Sequence, residues 1–207
     1  MGKSINGVLD QKDFIIAFVG FIGALVGGLL ALLGSYLSNE FELNREKDQE
    51  IRELNSIIRG FHIELEMNLR RYSETAGKAV ENLQPGQVLG FWWIQHDYFS
   101  TYTANSSKVG KIKSQEIQKE IIEAYTLLRG FIDSWRLNNI LIQRYESALI
   151  ADAQIKSRDP NNNQLADHLI LTYKTLLEYT KTIKNEHQIL LEKLSITLPR
   201  LEKYREK

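Results

Sequence analysis

The residues able to do chemistry are few and scattered. The chain has four histidines, His62, His96, His168 and His187, and no cysteine among its 207 residues. His62 and Glu66 stand four apart, which on a helix places both on one face, with Glu64 between them in sequence. Two ligands could begin a metal site, but Zn²⁺ takes three or four, and no His-Glu-x-x-His or Glu-x-x-His pattern completes the set. A partly solvated helix face is the expectation. His96-Asp97 are neighbours in sequence, which does not put ring and carboxylate in hydrogen-bonding geometry. No Gly-x-Ser-x-Gly elbow and no defensible Ser/His/Asp set occurs. Gly110-Lys111 lacks the upstream glycine and downstream hydroxyl of a phosphate loop, and Gly2-Lys3-Ser4 has no strand before it. The residues therefore predict no catalytic site, no cofactor, no metal and no enzyme.

The strongest signal lies in the elements around those residues. Phe14 to Gly34 are 21 consecutive apolar residues, and no charge falls between Asp13 and Glu40. As a helix they span about 31 Å, the thickness of a bilayer's hydrocarbon core. A soluble core helix seldom stays this apolar beyond about 14 residues. A cleaved signal peptide has an apolar region of about 7–15 residues and a small-x-small cleavage site, whereas Ser35-Tyr36-Leu37-Ser38-Asn39 follows here. A retained transmembrane helix over 14–38 is the expectation, after an N-terminal tail at 1–13. Within it Ala17, Gly20, Ala24, Gly27, Ala31, Gly34 and Ser38 repeat at alternating spacings of 3 and 4. Small residues on one face let backbones approach closely, which drives association in lipid. Self-association of the span is expected, the bland alternative being that Gly and Ala are common in such helices. No ionisable or amide side chain marks an ion path.

Lys3 and Lys12 precede the span, and Arg45, Lys47 and Arg52 follow it. The positive-inside rule nearly ties and places the C-terminal domain in the cytoplasm, anchored in the cell (inner) membrane. The absence of cysteine fits a reducing compartment. Asn105-Ser106-Ser107 is a formal glycosylation sequon of a kind frequent by chance. The 26 basic and 26 acidic residues balance, with two of each before the span. Neutrality of the remainder predicts no nucleic-acid partner, and the acidic stretch Glu40–Glu53 argues against a polybasic lipid clamp.

A polar helical stalk is expected at 39–50 and a helical domain at 51–207. The first helix continues to about Leu83, carrying an apolar seam of Ile51, Leu54, Ile58, Phe61 and Leu65, then Asn68 and Tyr72, until Pro85-Gly86 stops it. Residues 88–104 form a short aromatic element that either plugs the core or lies on a membrane surface. Because it lacks a Lys/Arg face, core plug is preferred. A loop from Ala104 to Lys113 leads to Ser114, an N-cap with Glu116 in the first turn. A helix over 114–157 carries Ile117, Ile121, Ala124, Leu128, Phe131, Trp135, Asn138, Ile142, Tyr145 and Leu149, which is coiled-coil-like spacing. Asn138 either fixes register or sits at a wet edge, the latter preferred. Residues 158–163 turn the chain. A last helix over 164–198 carries Leu165, Leu169, Leu176, Ile183, Leu190 and Leu194, with Thr and His between, and Pro199 closes it. The expected fold class is all-α: a transmembrane helix and stalk leading into a three- to four-helix antiparallel bundle.

The run Tyr98-Phe99-Ser100-Thr101-Tyr102-Thr103-Ala104 through Lys108-Val109-Gly110-Lys111-Ile112, followed by Glu116-Ile117 and Ala124-Tyr125-Thr126-Leu127-Leu128, resembles an element shared by many bacterial single-span proteins. Their span resembles Gly27-Gly28-Leu29-Leu30-Ala31-Leu32-Leu33-Gly34 as well. The resemblance is architectural, covers most of residues 20–135 and carries over no active site. Some similar anchored helical proteins lie in phage-defence loci. The function expected is a membrane-anchored interaction or scaffold protein that self-associates and positions a partner of unknown identity at the lipid bilayer. The alternative is an oligomeric effector that perturbs the membrane.

Overall fold

The computed structural model describes residues 11–94 and 98–204, with side chains from residue 14 onward. Gly2-Lys3-Ser4, Lys3, His96, Asp97 and the side chain of Lys12 lie outside the described residues. The protein is all-α, 86% helical, with no strand among the described residues. It divides between Ile51 and Arg52 into two compact units.

The described residues of the first unit, 11–51, lie on helix α1 (Gln11–Tyr72) and hold the apolar stretch and the polar residues that follow it. Its most apolar 18-residue window has a mean hydropathy of 2.6 and is nowhere buried. It is the one helix among the described residues long and apolar enough to cross a membrane.

The second unit begins on the last third of α1. There Leu54, Ile58, Phe61, Leu65 and Tyr72 are buried and Ile51 is half-buried, as a 3.6-residue period requires of a one-sided helix. The ladder then widens into a π turn at Ser73–Gly77 before α2 (Lys78–Glu81). The sequence reading missed this interruption. Gly77 gives it room: a Cβ there would stand 3.2 Å from the Tyr72 carbonyl oxygen and 3.4 Å from the Tyr72 ring. Gly86, at φ 84°, turns the chain after Pro85.

The aromatic segment is split in its behaviour. Leu89 is buried and Trp92 packs inward, while Phe91 and Trp93 face out, Trp93 at 83% exposure. The backbone here is extended but pairs with side chains, not with a strand. The Trp92 N–H donates to Asn139 Oδ1 (3.1 Å) and Asn139 Nδ2 donates back to the Trp92 carbonyl (2.7 Å). Asn138 Nδ2 donates to the Gly90 carbonyl (3.3 Å) and Thr180 Oγ1 accepts from the Leu89 N–H (3.2 Å). Asn138 is fully buried, not at a wet edge. A buried backbone segment without a partner strand needs such side-chain acceptors and donors. The expected loop after Ala104 is instead helical, with α3 (Ser100–Asn105) followed by a 3₁₀ turn at Ser106–Lys111. Val109 and Ile112 anchor that stretch in the core.

Helix α4 (Gln115–Arg158) starts where Ser114 Oγ accepts from the Ile117 N–H. Asp159 and Asn162 side chains accept backbone N–H groups in the turn to α5 (Ala166–Lys203). Glu120 meets Thr197 and Tyr145 meets Tyr173, so α4 and α5 run antiparallel. Pro199 does not end α5, which continues one turn beyond it. An internal proline costs about 3 kcal/mol or more. Offsetting it, Leu201 is buried to 1% and Arg200 holds Glu116 (2.7 Å) and Glu120 (2.9 Å).

One core gathers Phe61, Tyr72, Val80, Leu89, Val109, Ile121, Tyr125, Phe131, Trp135, Ile183, Leu190 and Leu194. Ile117, Leu128 and Leu176 are buried as expected. Farther along α4 the expected seam is out of phase. Leu141 and Ala148 are buried, Ile142 and Tyr145 are half-buried, and Leu149 is 42% exposed. Leu165 and Leu169 at the start of α5 are also only half-buried. Among the described residues α5 is the only element against this end of α4, so the buried stripe turns toward α5 alone.

Candidate functional site

Helical spacing sets the seven small residues of the span on an arc of about 100°. All of them are exposed, and a Cβ built on Gly20, Gly23, Gly27, Gly28 or Gly34 meets no atom within 4 Å. The same holds for the larger side chains around the girth, such as Phe18 (54%), Leu25 (51%) and Leu32 (70%). Chemically this surface can do nothing but pack. From Ala17 to Gly34 it offers no polar side chain or charge, only a shallow face beside a ridge of Phe, Ile, Leu and Val, and the Ser38 hydroxyl closes the arc.

The histidines divide differently from what their sequence positions imply. His62 is half-buried and Glu66 exposed, on the wall of a 390 Å³ surface recess shared with Arg59 and Leu201. Glu64, which lies between them in sequence, faces elsewhere. Its carboxylate accepts from the backbone N–H groups of Thr101 (2.6 Å) and Tyr102 (3.1 Å) and from the Tyr125 hydroxyl (2.7 Å). It thus caps the first turn of α3 and ties α1 to α4. Burial and the Glu64 charge together raise the Tyr125 pKa, so Tyr125 stays a donor. No three His, Asp or Glu side chains come together as metal ligands among the described residues.

The polar cluster that sequence spacing did not reveal joins Tyr72, His187 and Glu81. The Tyr72 hydroxyl lies 2.7 Å from His187 Nδ1, and His187 Nε2 lies 3.9 Å from Glu81 Oε1. Tyr72 (4% exposed) and His187 (5%) are both buried, and Phe131 packs edge-on against the Tyr72 ring at 4.9 Å. Burial raises the Tyr72 pKa and lowers that of His187, against the opposing pull of Glu81. Tyr72 therefore stays protonated and the His187 ring is held toward its neutral form, in a phenol–imidazole hydrogen bond whose donor the ring tautomer sets. This is a carboxylate–imidazole–phenol chain in relay order. The cavity lined by Tyr72 offers only about 20 Å³, room for one water and no substrate. The cluster joins the end of α1, α2 and α5. Its one sequence trace was a histidine at a seam position of α5, seven residues before Leu194 and four after Ile183.

A second buried network locks α4 to α5. Burial alone would raise the Glu120 pKa, but hydrogen bonds from Thr197 (2.6 Å) and Lys193 (3.0 Å) and the Arg200 charge hold it below the usual range. Lys193 also reaches Glu123 at 2.6 Å.

A cavity of about 840 Å³ is an open groove between the loop-side halves of α4 and α5. Ile140, Leu141, Ala148, Leu165 and Leu171 line it, together with Arg144 and His168. No protein-family model, no curated protein and no solved structure matches this chain.

Proposed function

We propose that this is a membrane-anchored helical scaffold protein, which self-associates through the small-residue arc of α1 and positions a protein partner at the bilayer. The observation that carries it is the girth of the apolar stretch: hydropathy 2.6, none of it buried, with open space at every glycine. A soluble core helix of this composition would be covered by its own chain. Water against roughly 20 exposed apolar residues would cost about 25 cal/mol per Å², so the covering phase is lipid. Against a cleaved signal sequence stand the length of the apolar run and the unbroken helix through Ser35–Asn39. The membrane is the cell (inner) membrane, with the C-terminal unit on the cytoplasmic side. We take that unit as an antiparallel helical bundle built on α4 and α5, with the end of α1 completing it.

Gly27→Leu tests the association. In disuccinimidyl suberate crosslinking of membranes it reduces the dimer band several-fold, while Leu25→Ala, on the other face, leaves it unchanged. Equal crosslinking by the wild type and Gly27→Leu would sink self-association through this arc, and extraction of the wild type by carbonate would remove the anchor. The second reading, a membrane-perturbing effector, draws on the same glycine faces, which allow tight clustering. It predicts depolarisation on overexpression that Gly27→Leu abolishes. Intact membrane potential in overexpressing cells counts against it.

A further inference from the structure

The chain covers its own α4–α5 hairpin unevenly. On α4 the last side chain engaged by another element besides α5 is Asn139, which holds Trp92, and on α5 it is Tyr173, whose hydroxyl donates to the Gly86 carbonyl at 3.0 Å. Beyond these, toward the loop, no side chain of either helix hydrogen-bonds to another element among the described residues. The 840 Å³ groove opens there, within the size range of sites that take a ligand or a side-chain ridge. It runs from Ile140 to Ala151 on α4, about 17 Å or three helical turns. Its lining is mostly apolar, and two of its members, Ile140 (44%) and Leu171 (64%), are exposed.

Charge decides what fits. Arg144 is the permanent cation of the lining, His168 stands across from it on α5, and the lining holds no carboxylate. Arg144 has no hydrogen bond or ion pair among the described residues, unlike Lys193 and Arg200 farther along the same hairpin. A second copy is a poor occupant. A two-fold contact presents the same patch twice, so it brings a second Arg144 and still no acid. We propose that the groove takes one amphipathic helix of a different protein. That helix presents apolar residues at i, i+3/i+4 and i+7 to the groove and an Asp or Glu to Arg144. The apolar ridge replaces water over Ile140 and Leu171, and the carboxylate sets register and orientation. This inference rests on the scaffold reading and names the surface where the partner sits.

The test is site-specific photocrosslinking of the full chain in cells. Benzoylphenylalanine replaces Ala151 in the groove or, in a second strain, Ile63 on α1, and the crosslinked peptides are sequenced. The expected Ala151 adduct is a peptide of another protein with helical apolar spacing and an Asp or Glu beside it. Arg144→Glu lowers its yield about tenfold, and Lys at that partner carboxylate restores it. Arg144 is exposed and unpaired, so its reversal leaves the fold intact, checked by unchanged Trp fluorescence. An adduct to this chain itself, to lipid, or insensitive to Arg144→Glu overturns the proposal. An adduct at Ile63 with none at Ala151 overturns the groove but leaves a partner elsewhere; adducts at neither site remove the partner-positioning reading as well.

Discussion

The two ends of the α4–α5 hairpin are built from the same helices and the same residue pattern, yet they pack differently. At the end holding Glu120 and Leu194, α1, α2, the 3₁₀ turn and the aromatic segment converge on the hairpin, and Ile121, Ala124, Ile183 and Leu194 are all fully buried. At the loop end, Leu149, Ile150, Ile170 and Leu171 remain exposed, at 42%, 61%, 53% and 64%. Periodicity tells which residues could share a face. The number of neighbours decides how wide that face becomes and where it points. The contrast is therefore one of partners, and every perturbation should cost more where partners are many.

The largest effect is expected at Phe61, fully buried and in edge contact with Tyr125 at 5.9 Å. Phe61→Ala removes a ring that closes the core between α1 and α4 and destabilises by about 3–5 kcal/mol. Urea unfolding of the full chain in mild detergent, followed by the fluorescence of the Trp92–Trp135 pair, measures it. A loss below about 1 kcal/mol would mean that α1 does not share the core.

Next comes the Tyr72–His187 hydrogen bond. Tyr72→Phe keeps the ring packed on Phe131 and Trp92 but leaves His187 Nδ1 buried without its hydrogen-bond partner. The expected cost is about 1–3 kcal/mol. The double variant Tyr72→Phe/His187→Leu should recover part of it, because both polar partners are then gone. If the double variant loses the sum of the two single losses, the bond is not the source.

The three long helices, the cap at Ser114 and a turn near 158–163 were legible in the sequence, because they depend on local spacing and local hydrogen bonds. So was the proximal seam through Ile121, Leu128 and Trp135. Four features were not. The π turn at Ser73–Gly77 lies where the buried Tyr72 ring comes close to Gly77, and the passage of α5 through Pro199 goes with contacts of Leu201 and Arg200 with α4 and the core. The burial of Asn138 depends on a segment 48 residues earlier, and the Tyr72–His187 pair spans 115 positions. Each is a tertiary override of a local rule. The small-residue arc of the span was read wholly from spacing, and its role rests on the crosslinking described above.

A smaller effect separates the ends by pH. His187 has its folded pKa depressed by burial, below its unfolded value of 6.5. Above that value both states are neutral and the full stability is present. As pH falls below it, the unfolded chain binds a proton the folded chain resists, so stability declines until the folded pKa is passed. Glu120 and Glu123 act in the same direction at lower pH. Their folded pKa values lie under 4.5, so their contribution is present above that pH and lost as pH falls through the folded values. Urea midpoints of the wild type should therefore fall in two steps, and His187→Gln should erase the step that starts at 6.5 and keep the one below 4.5. A retained upper step would assign it to another group.

The smallest effect is expected at the loop end. Leu149→Gln replaces an exposed leucine on the outward side of a helix that has one neighbour. It should change stability by less than about 0.5 kcal/mol, against about 2–5 kcal/mol for Leu128→Ala three heptads earlier on the expected seam. Spacing alone assigns both leucines to one seam; the partner count separates them. Equal losses at the two positions would mean that something covers the loop end even in the isolated chain. The neighbouring position sharpens the point: Ala148 is 8% exposed and lines the groove between α4 and α5, so Ala148→Gln, which places an amide on the covered side, should cost about 1–3 kcal/mol. That order, costly at 148 and neutral at 149, is what a buried stripe one residue out of phase with the heptad requires.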